Sequence, residues 1–459
     1  MKRSRLILII VALLGATAAA ATLLQPNGAP SGPTGDAPEL GRIGTLGVGT
    51  VIAKFTLTDR VRISTVGALT GNLPVEARAL NVRFWYPAMI DPKAAHVRYD
   101  HVVNVPAGKP FPVSTQGIAV QSAPIIAGQK YPLVLISHGY GGWDTAMSNL
   151  AETLASKGYV VAAIDHADMP FDSTRTFLLS FGNVMLDRAQ DQRQILSMIV
   201  KQAQASKTGY ASIIDTANIG LVGYSMGGFG ALATAGAPYD PASKTVSQLP
   251  KDAQSAITKG SADSASSIKA LVLFAPWGGQ PDNRSWTAAG LSQIKMPVLM
   301  VGGDHDDVAD FGHGISWIYD NLTGADRSIL IYRDARHNIV NNPVPITAQT
   351  DFQTLEYFTE PVWRTERINA INQHFVTAFL DRTLKDDTTK SVYLELPTEI
   401  AGEGDWPSKP GEQLGGTMAG AAQQGYWRGF QRRWALGLEM HRAAKGAAGG
   451  LEKKPAAKP

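Results

Sequence analysis

The chain has 459 residues and not one cysteine. Disulfides, thiolate catalysis, zinc–cysteine sites and lipid attachment to an N-terminal cysteine are therefore excluded. Charge is scarce too: Asp, Glu, Lys and Arg make up 18%, below the usual ~25%, which argues against a coiled coil or a solenoid of charged helices. No internal repeat is visible, and beyond the N-terminus no apolar run is long enough to cross a bilayer. The net charge of +3 sits at the ends, in Lys2, Arg3 and Arg5 and in Lys445, Lys453, Lys454 and Lys458 against Glu452. Removing three positive charges at each end leaves the body mildly acidic, at −3, with no basic face for nucleic acid. What is present is apolar: 44% hydrophobic residues can build a sizeable core and rule out disorder throughout, while 46 Gly and 27 Pro imply many turns.

The N-terminus has a basic start, an apolar run from Leu6 and small residues from Ala16 to Ala21. This pattern predicts a signal peptide over 1–24 and an exported protein, periplasmic or extracellular. The uncharged stretch Leu6–Leu24 could alternatively remain as an anchor, the one expected membrane contact. A Pro-, Gly- and Ser-rich linker is predicted over 25–40, a folded domain over 41–442, and a disordered Ala-, Gly-, Lys- and Pro-rich tail over 443–459.

Within 41–442, strands and helices alternate. Strands are predicted at Thr50–Leu57, Leu80–Tyr86, Tyr131–Ser137, Tyr159–Ile164, Ile219–Val222, Ile268–Phe274, Pro297–Val301 and Ser328–Tyr332. Helices are predicted at Ala146–Lys157, Asp187–Gln204, Met226–Ala233, Phe311–Leu322 and Glu360–Leu384. This order predicts an α/β fold: a mostly parallel eight-stranded sheet with helices on both faces and an antiparallel edge from the first two strands.

The chemistry-bearing residues cluster where strands end. Gly223-Tyr-Ser225-Met-Gly227-Gly228 follows a buried strand and opens a helix. A Gly-x-Ser-x-Gly string is weak alone; at such a turn it thrusts a nucleophilic serine above the sheet. That nucleophile needs two backbone N–H donors for the developing oxyanion. Met226 supplies one, and the loop Ser137-His-Gly139-Tyr140-Gly141-Gly142 the other, with Tyr140 the chosen donor and its ring a wall of the cleft. Chain order then selects the base. Of nine histidines, His96, His101, His138 and His166 precede the serine, His374 lies within a helix, His441 nears the tail, and His305 and His313 adjoin an acidic run. His337, directly after the last predicted strand, remains. The acid lies among Asp304, Asp306, Asp307 and Asp310. Asp306, three residues past Gly303, is preferred, with Asp304 and Asp307 as alternatives.

Other readings compete. Asp304, Asp306, Asp307, Asp310 and His313 could ligate a metal, but their spacing matches no defined loop, so no metal is expected. Asp165-His166-Ala-Asp168 reads as a cap or ion pair. Trp277, at another strand end, is either a substrate-facing indole or a core residue.

These motifs resemble the α/β-hydrolase superfamily, and within it the dienelactone-hydrolase-like and platelet-activating-factor-acetylhydrolase-like esterases. The likeness is carried by Val82-Arg-Phe-Trp-Tyr-Pro87, Ser137-His-Gly-Tyr-Gly-Gly142, Val160-Val-Ala-Ala-Ile-Asp-His166, the Ser225 turn and Asp334-Ala-Arg-His337. A local similarity to cutinases and related polyester hydrolases runs through Ala275-Pro-Trp277 and Pro297–Ala309. It implies Tyr140 and Met226 at an oxyanion hole, Trp277 against substrate, and Asp306 rather than Asp304 as the acid. The chain departs from both families: dienelactone hydrolases use a cysteine nucleophile, and cutinases are shorter. Segments 238–267 and 341–360 are insertions, and the first suits a cap over the cleft that would restrict bulky polymers. The expectation is a serine carboxylesterase acting on small-molecule esters of short to medium acyl chain, needing no cofactor. Its rivals are an acyltransferase, an amidase or polyester hydrolase on the same residues, or a binding scaffold without turnover. The oligomeric state is not legible.

Overall fold

The computed structural model describes residues 34–103, 110–259, 267–343, 352–404, 425–431 and 433–452. The expected signal peptide and most of the linker lie outside them. Among the described residues twelve strands are formed: β1 Gly47–Val61, β2 Val75–Ala88, β3 Arg98–Val103, β4 Phe111–Gln116, β5 Val120–Gln121, β6 Tyr131–Ser137, β7 Val160–Asp165, β8 Ile214–Tyr224, β9 Ile268–Phe274, β10 Val298–Gly303, β11 Arg327–Tyr332 and β12 Leu438–Ala443. Ten of them make one sheet in the order β12-β11-β10-β9-β8-β6-β7-β2-β1-β5, and β3–β4 is a separate hairpin. The run from β7 to β11 is parallel. β2 pairs antiparallel with β1 and β7, and β12 antiparallel with β11.

All eight predicted strands are present; the sheet gains two more, at its edges. β5 is two residues long and β12 follows far beyond the last predicted helix, so neither carries a legible apolar pattern. The central strands are apolar throughout because helices cover both faces. The helices that matter are α1 Ser148–Ser156, α2 Thr174–Ala205, α3 Met226–Thr234, α4 Lys251–Thr258, α5 Ser316–Asn321, α6 Phe352–Phe358 and α7 Thr365–Leu384. α1 and α7 pack together on one face, α2 and α3 on the other. α2 starts thirteen residues before its predicted start, where Ser173 and Thr176 form a capping box. This arrangement is the α/β-hydrolase fold. It carries the loops after β6, β7, β8, β9, β10 and β11 to one edge of the sheet, where open α/β sheets bind ligands.

Three expectations about the segments change. Residues 34–40 are packed rather than linker: Ala37 is buried, Glu39 N–H donates to Gly429 O at 2.9 Å, and Leu40 N–H to His374 Nδ1 at 3.1 Å. Residues 443–452 are not loose either, since Leu451 and Glu452 N–H donate to Asp320 at 2.8–3.0 Å. The 238–267 insertion, where described, does not cap the cleft. Its helix α4 lies beside α2 and the β1–β2 connection, through Leu73 N–H to Asp252 at 3.3 Å and Gln190 to Ala256 O at 3.1 Å.

Three buried imidazoles should make the fold acid-sensitive. Burial, reinforced by the Arg188 charge, pushes the His138 pKa down from 6.5 to about 4 and holds His166 well below its ordinary value. Burial and the Lys157 charge take His374 to about 3. The unfolded chain binds these protons near pH 6.5 while the folded chain refuses them, so stability falls as pH drops through that window, by about 1.4 kcal/mol per pH unit for each imidazole. Urea midpoints measured at pH 7.5 and 5.0 should show this loss, with a smaller loss in His374→Asn. Equal midpoints at the two pH values would contradict it.

Candidate active site

Ser225 stands between β8 and α3 with φ 50° and ψ −113°, a strained conformation for a residue with a side chain. The neighbouring glycines make the turn possible. A methyl on Gly223 would come within 2.5 Å of the Gly227 carbonyl, and one on Gly227 would run into the Ser137 carbonyl. Ser225 N–H donates to Phe274 O at 2.9 Å, and Ser225 O accepts from Trp277 N–H at 3.2 Å, which ties the turn to the end of β9. Met226 opens α3, so its N–H has no partner in the helix ladder.

His337 lies on the loop after β11. Its Nε2 is 3.0 Å from Ser225 Oγ and its Nδ1 2.7 Å from Asp306 Oδ2. Asp306 is buried, and its other oxygen accepts from Val308 and Ala309 N–H at 2.9 and 2.8 Å. The fold thus brings Ser225, His337 and Asp306 into one hydrogen-bonded line. The alternative acids point elsewhere: Asp304 accepts from Asp334 N–H at 2.7 Å, and Asp307 pairs with Arg336 at 2.7 Å. Asp310 caps the turn at His313. Among the described residues, no three His, Asp or Glu side chains gather as a metal-binding group.

The Ser225 hydroxyl faces a cavity of about 290 Å³ lined by Tyr140, Trp143, Phe171, Tyr357 and Phe358, with Asp307, Arg336, Glu356 and Glu360 along one side. The Tyr140 ring lies parallel to Phe171 at 5.7 Å, and its hydroxyl donates to Ser180 at 2.8 Å. Helix α6, from the 341–360 insertion, supplies the wall that the 238–267 segment does not. Trp277 is outside this lining. It is buried between Phe181 and Phe229, at 5.2 and 5.8 Å, and so holds a core position. A larger hollow of about 810 Å³, at the opposite end of the sheet among Lys269, Lys295, Arg382 and Arg442, holds no nucleophile–base pair.

One residue had no signal in the sequence. Glu360 accepts from Arg336 and Asn338 N–H at 2.6 and 2.8 Å, clasping the loop on both sides of His337. Burial raises its pKa, against the pull of those two donors. Only its burial marks it, and no motif does. A second Ser–His–Asp string, Ser137 Oγ to His166 Nε2 at 2.7 Å and His166 Nδ1 to Asp191 at 2.8 Å, is wholly buried, so substrate has no access to it. Gln192 joins it to the turn by donating to Ser137 Oγ at 2.9 Å and Gly227 O at 3.0 Å.

The family model of platelet-activating factor acetylhydrolase, isoform II, matches residues 113–209, a stretch that holds the Ser137–Gly142 loop but not Ser225 or His337. Cutinase 1 of Thermobifida cellulosilytica is 26% identical over 264 residues, 55% of this chain and 80% of its own. A cutinase of Thermobifida fusca is also 26% identical over 264 residues, covering 55% of this chain and 70% of its own. A platelet-activating factor acetylhydrolase of Canis lupus familiaris is 43% identical, over 56 residues that make up 12% of this chain and 13% of its own. A ferulic acid esterase from Streptomyces cinnamoneus has 21% identity at a TM-score of 0.49, over 74% of this chain and 91% of its own. The chain thus has the α/β-hydrolase fold and is similar over about half of its length to cutinases, and over shorter stretches to platelet-activating factor acetylhydrolases.

Proposed function

We propose that this is an exported serine carboxylesterase that cleaves short- to medium-chain acyl esters through an acyl-enzyme. Ser225 Oγ attacks the ester carbonyl while His337 Nε2 takes its proton. Asp306 holds His337 with its proton on Nδ1 and stabilises the imidazolium. The N–H groups of Tyr140 and Met226 receive the charge on the tetrahedral oxygen. His337 returns the proton to the leaving alkoxide, and a water activated by the same base then releases the acid. The observation that carries this reading is the Ser225–His337–Asp306 line of 3.0 and 2.7 Å opening into an aromatic cavity. Export is supported by the basic and then apolar N-terminal sequence; among the described residues no helix is long and apolar enough to cross a membrane.

The cavity volume of about 290 Å³ favours small acyl groups. Rates on p-nitrophenyl esters from acetate to palmitate should peak at short chains and fall steeply beyond the medium ones. A profile rising toward palmitate would overturn that size limit. The cutinase relatives favour a second reading, polyester hydrolysis on the same residues. Release of soluble acid from a polyester film, run beside the ester series, separates the two.

A further inference from the structure

A backbone donor helps a developing oxyanion only if it is already aimed. The Tyr140 N–H lies on a loop between two glycines, where local sequence gives the peptide freedom to turn over. What fixes it lies on the far side of the same peptide unit. The Gly139 carbonyl and the Tyr140 N–H belong to one planar group and point in opposite directions. That carbonyl accepts from Arg188 Nη2 at 3.0 Å and lies 2.7 Å from His138 Nδ1. The His138 tautomer follows from its other contact. Its Nε2 faces the backbone N–H of His166 at 3.1 Å, a group that can only donate, so the ring proton is on Nδ1 and goes to Gly139 O. The same peptide borders the nucleophile, since a methyl on Gly139 would sit 3.3 Å from Ser225 Cβ.

Arg188 is itself fixed. It is fully buried on α2 and grips both oxygens of Asp168, at 2.7 and 2.6 Å. Asp168 in turn accepts from Gly141 N–H at 2.8 Å. Burial opposes the Asp168 charge, but Arg188 overrides it and keeps the carboxyl well below its ordinary range. One ion pair therefore holds the peptides on both sides of Tyr140, from a place that does not line the cavity. We infer that Arg188, Asp168 and His138 are positioning residues that aim the Tyr140 N–H at the oxyanion of the tetrahedral intermediate. The inference rests on the esterase reading of Ser225 and Tyr140.

The test uses the double variant Arg188→Met with Asp168→Asn, which removes both charges and leaves no lone charge buried. Arg188→Lys keeps the charge but loses the two-pronged grip, and serves if the double variant does not fold. With p-nitrophenyl acetate, the double variant should lose about 10²-fold in kcat with KM within about threefold, and Arg188→Lys about 10-fold. A trifluoromethyl ketone adds Ser225 to its carbonyl and leaves an oxyanion in the hole. Its inhibition constant should rise in step with the loss of kcat, while the matching trifluoromethyl carbinol, which forms no adduct, should bind unchanged. A folded variant with kcat within about threefold of wild type, or equal losses for ketone and carbinol, overturns the inference. An inactive wild type removes the esterase reading and this inference together; an active wild type with unaffected variants removes the inference alone.

Discussion

Ser225→Ala should lower kcat on p-nitrophenyl acetate by about 10⁵- to 10⁶-fold, to the residue of rate that binding and oxyanion donors supply without a nucleophile. The change is small in structural terms. The Ser225 side chain is nearly buried, and its one hydrogen bond among those described is to His337. The φ of 50° is already borne by a residue with a Cβ, so alanine adds no new backbone strain. The variant should therefore unfold within a few degrees of wild type while losing both turnover and covalent labelling by a fluorophosphonate. Activity retained within tenfold, or labelling that persists at another residue, would move the nucleophile away from Ser225. The wholly buried Ser137 is no candidate to replace it.

Asp306→Asn carries the second large effect, about 10³- to 10⁴-fold in kcat. The amide oxygen can still accept from Val308 and Ala309 N–H, so the loop keeps its shape. Its NH₂ group would face His337 Nδ1 and donate, forcing the ring proton onto Nε2. A protonated Nε2 cannot accept the Ser225 proton. Asp304→Asn, by contrast, alters a residue that holds Asp334 N–H and Arg333 outside the line, and kcat should stay within about threefold. Measuring the two variants side by side chooses the acid. A large loss in Asp304→Asn with little change in Asp306→Asn would reverse the assignment.

The sequence located the candidate site residues better than it located their surroundings. The turn at Ser225 was legible because its requirements are local: glycines where neighbouring carbonyls leave no room for a methyl, a buried strand before and a helix after. The loops at His138–Gly142, Asp306 and His337 were legible for a topological reason, since each follows a parallel strand and parallel strands deliver their C-terminal ends to one edge. Choosing the candidate acid needed more than order. Four aspartates lie within seven residues, and it is the direction of each side chain, set by Arg333, Arg336, Asp334 and the Val308–Ala309 turn, that separates them.

By itself the sequence determined the absence of cysteine chemistry, the alternation that makes an α/β sheet, and the candidate side chains Ser225, His337 and Asp306 that the fold then brings together. These follow from composition, short-range periodicity and steric demands within a few residues. Only the tertiary structure decided that α6 rather than the 238–267 segment walls the cleft, that Trp277 sits in the core, that β12 closes the sheet, and that Glu360 and Arg188 brace the two loops flanking Ser225. Each of these depends on residues far apart in the chain meeting through burial and complementary hydrogen bonds: Glu360 reaches back 22 and 24 positions, Arg188 reaches 49, and β12 pairs with a strand more than a hundred residues earlier. A partner at that distance leaves no periodic mark beside either residue, so it becomes visible only when the sheet has assembled around it.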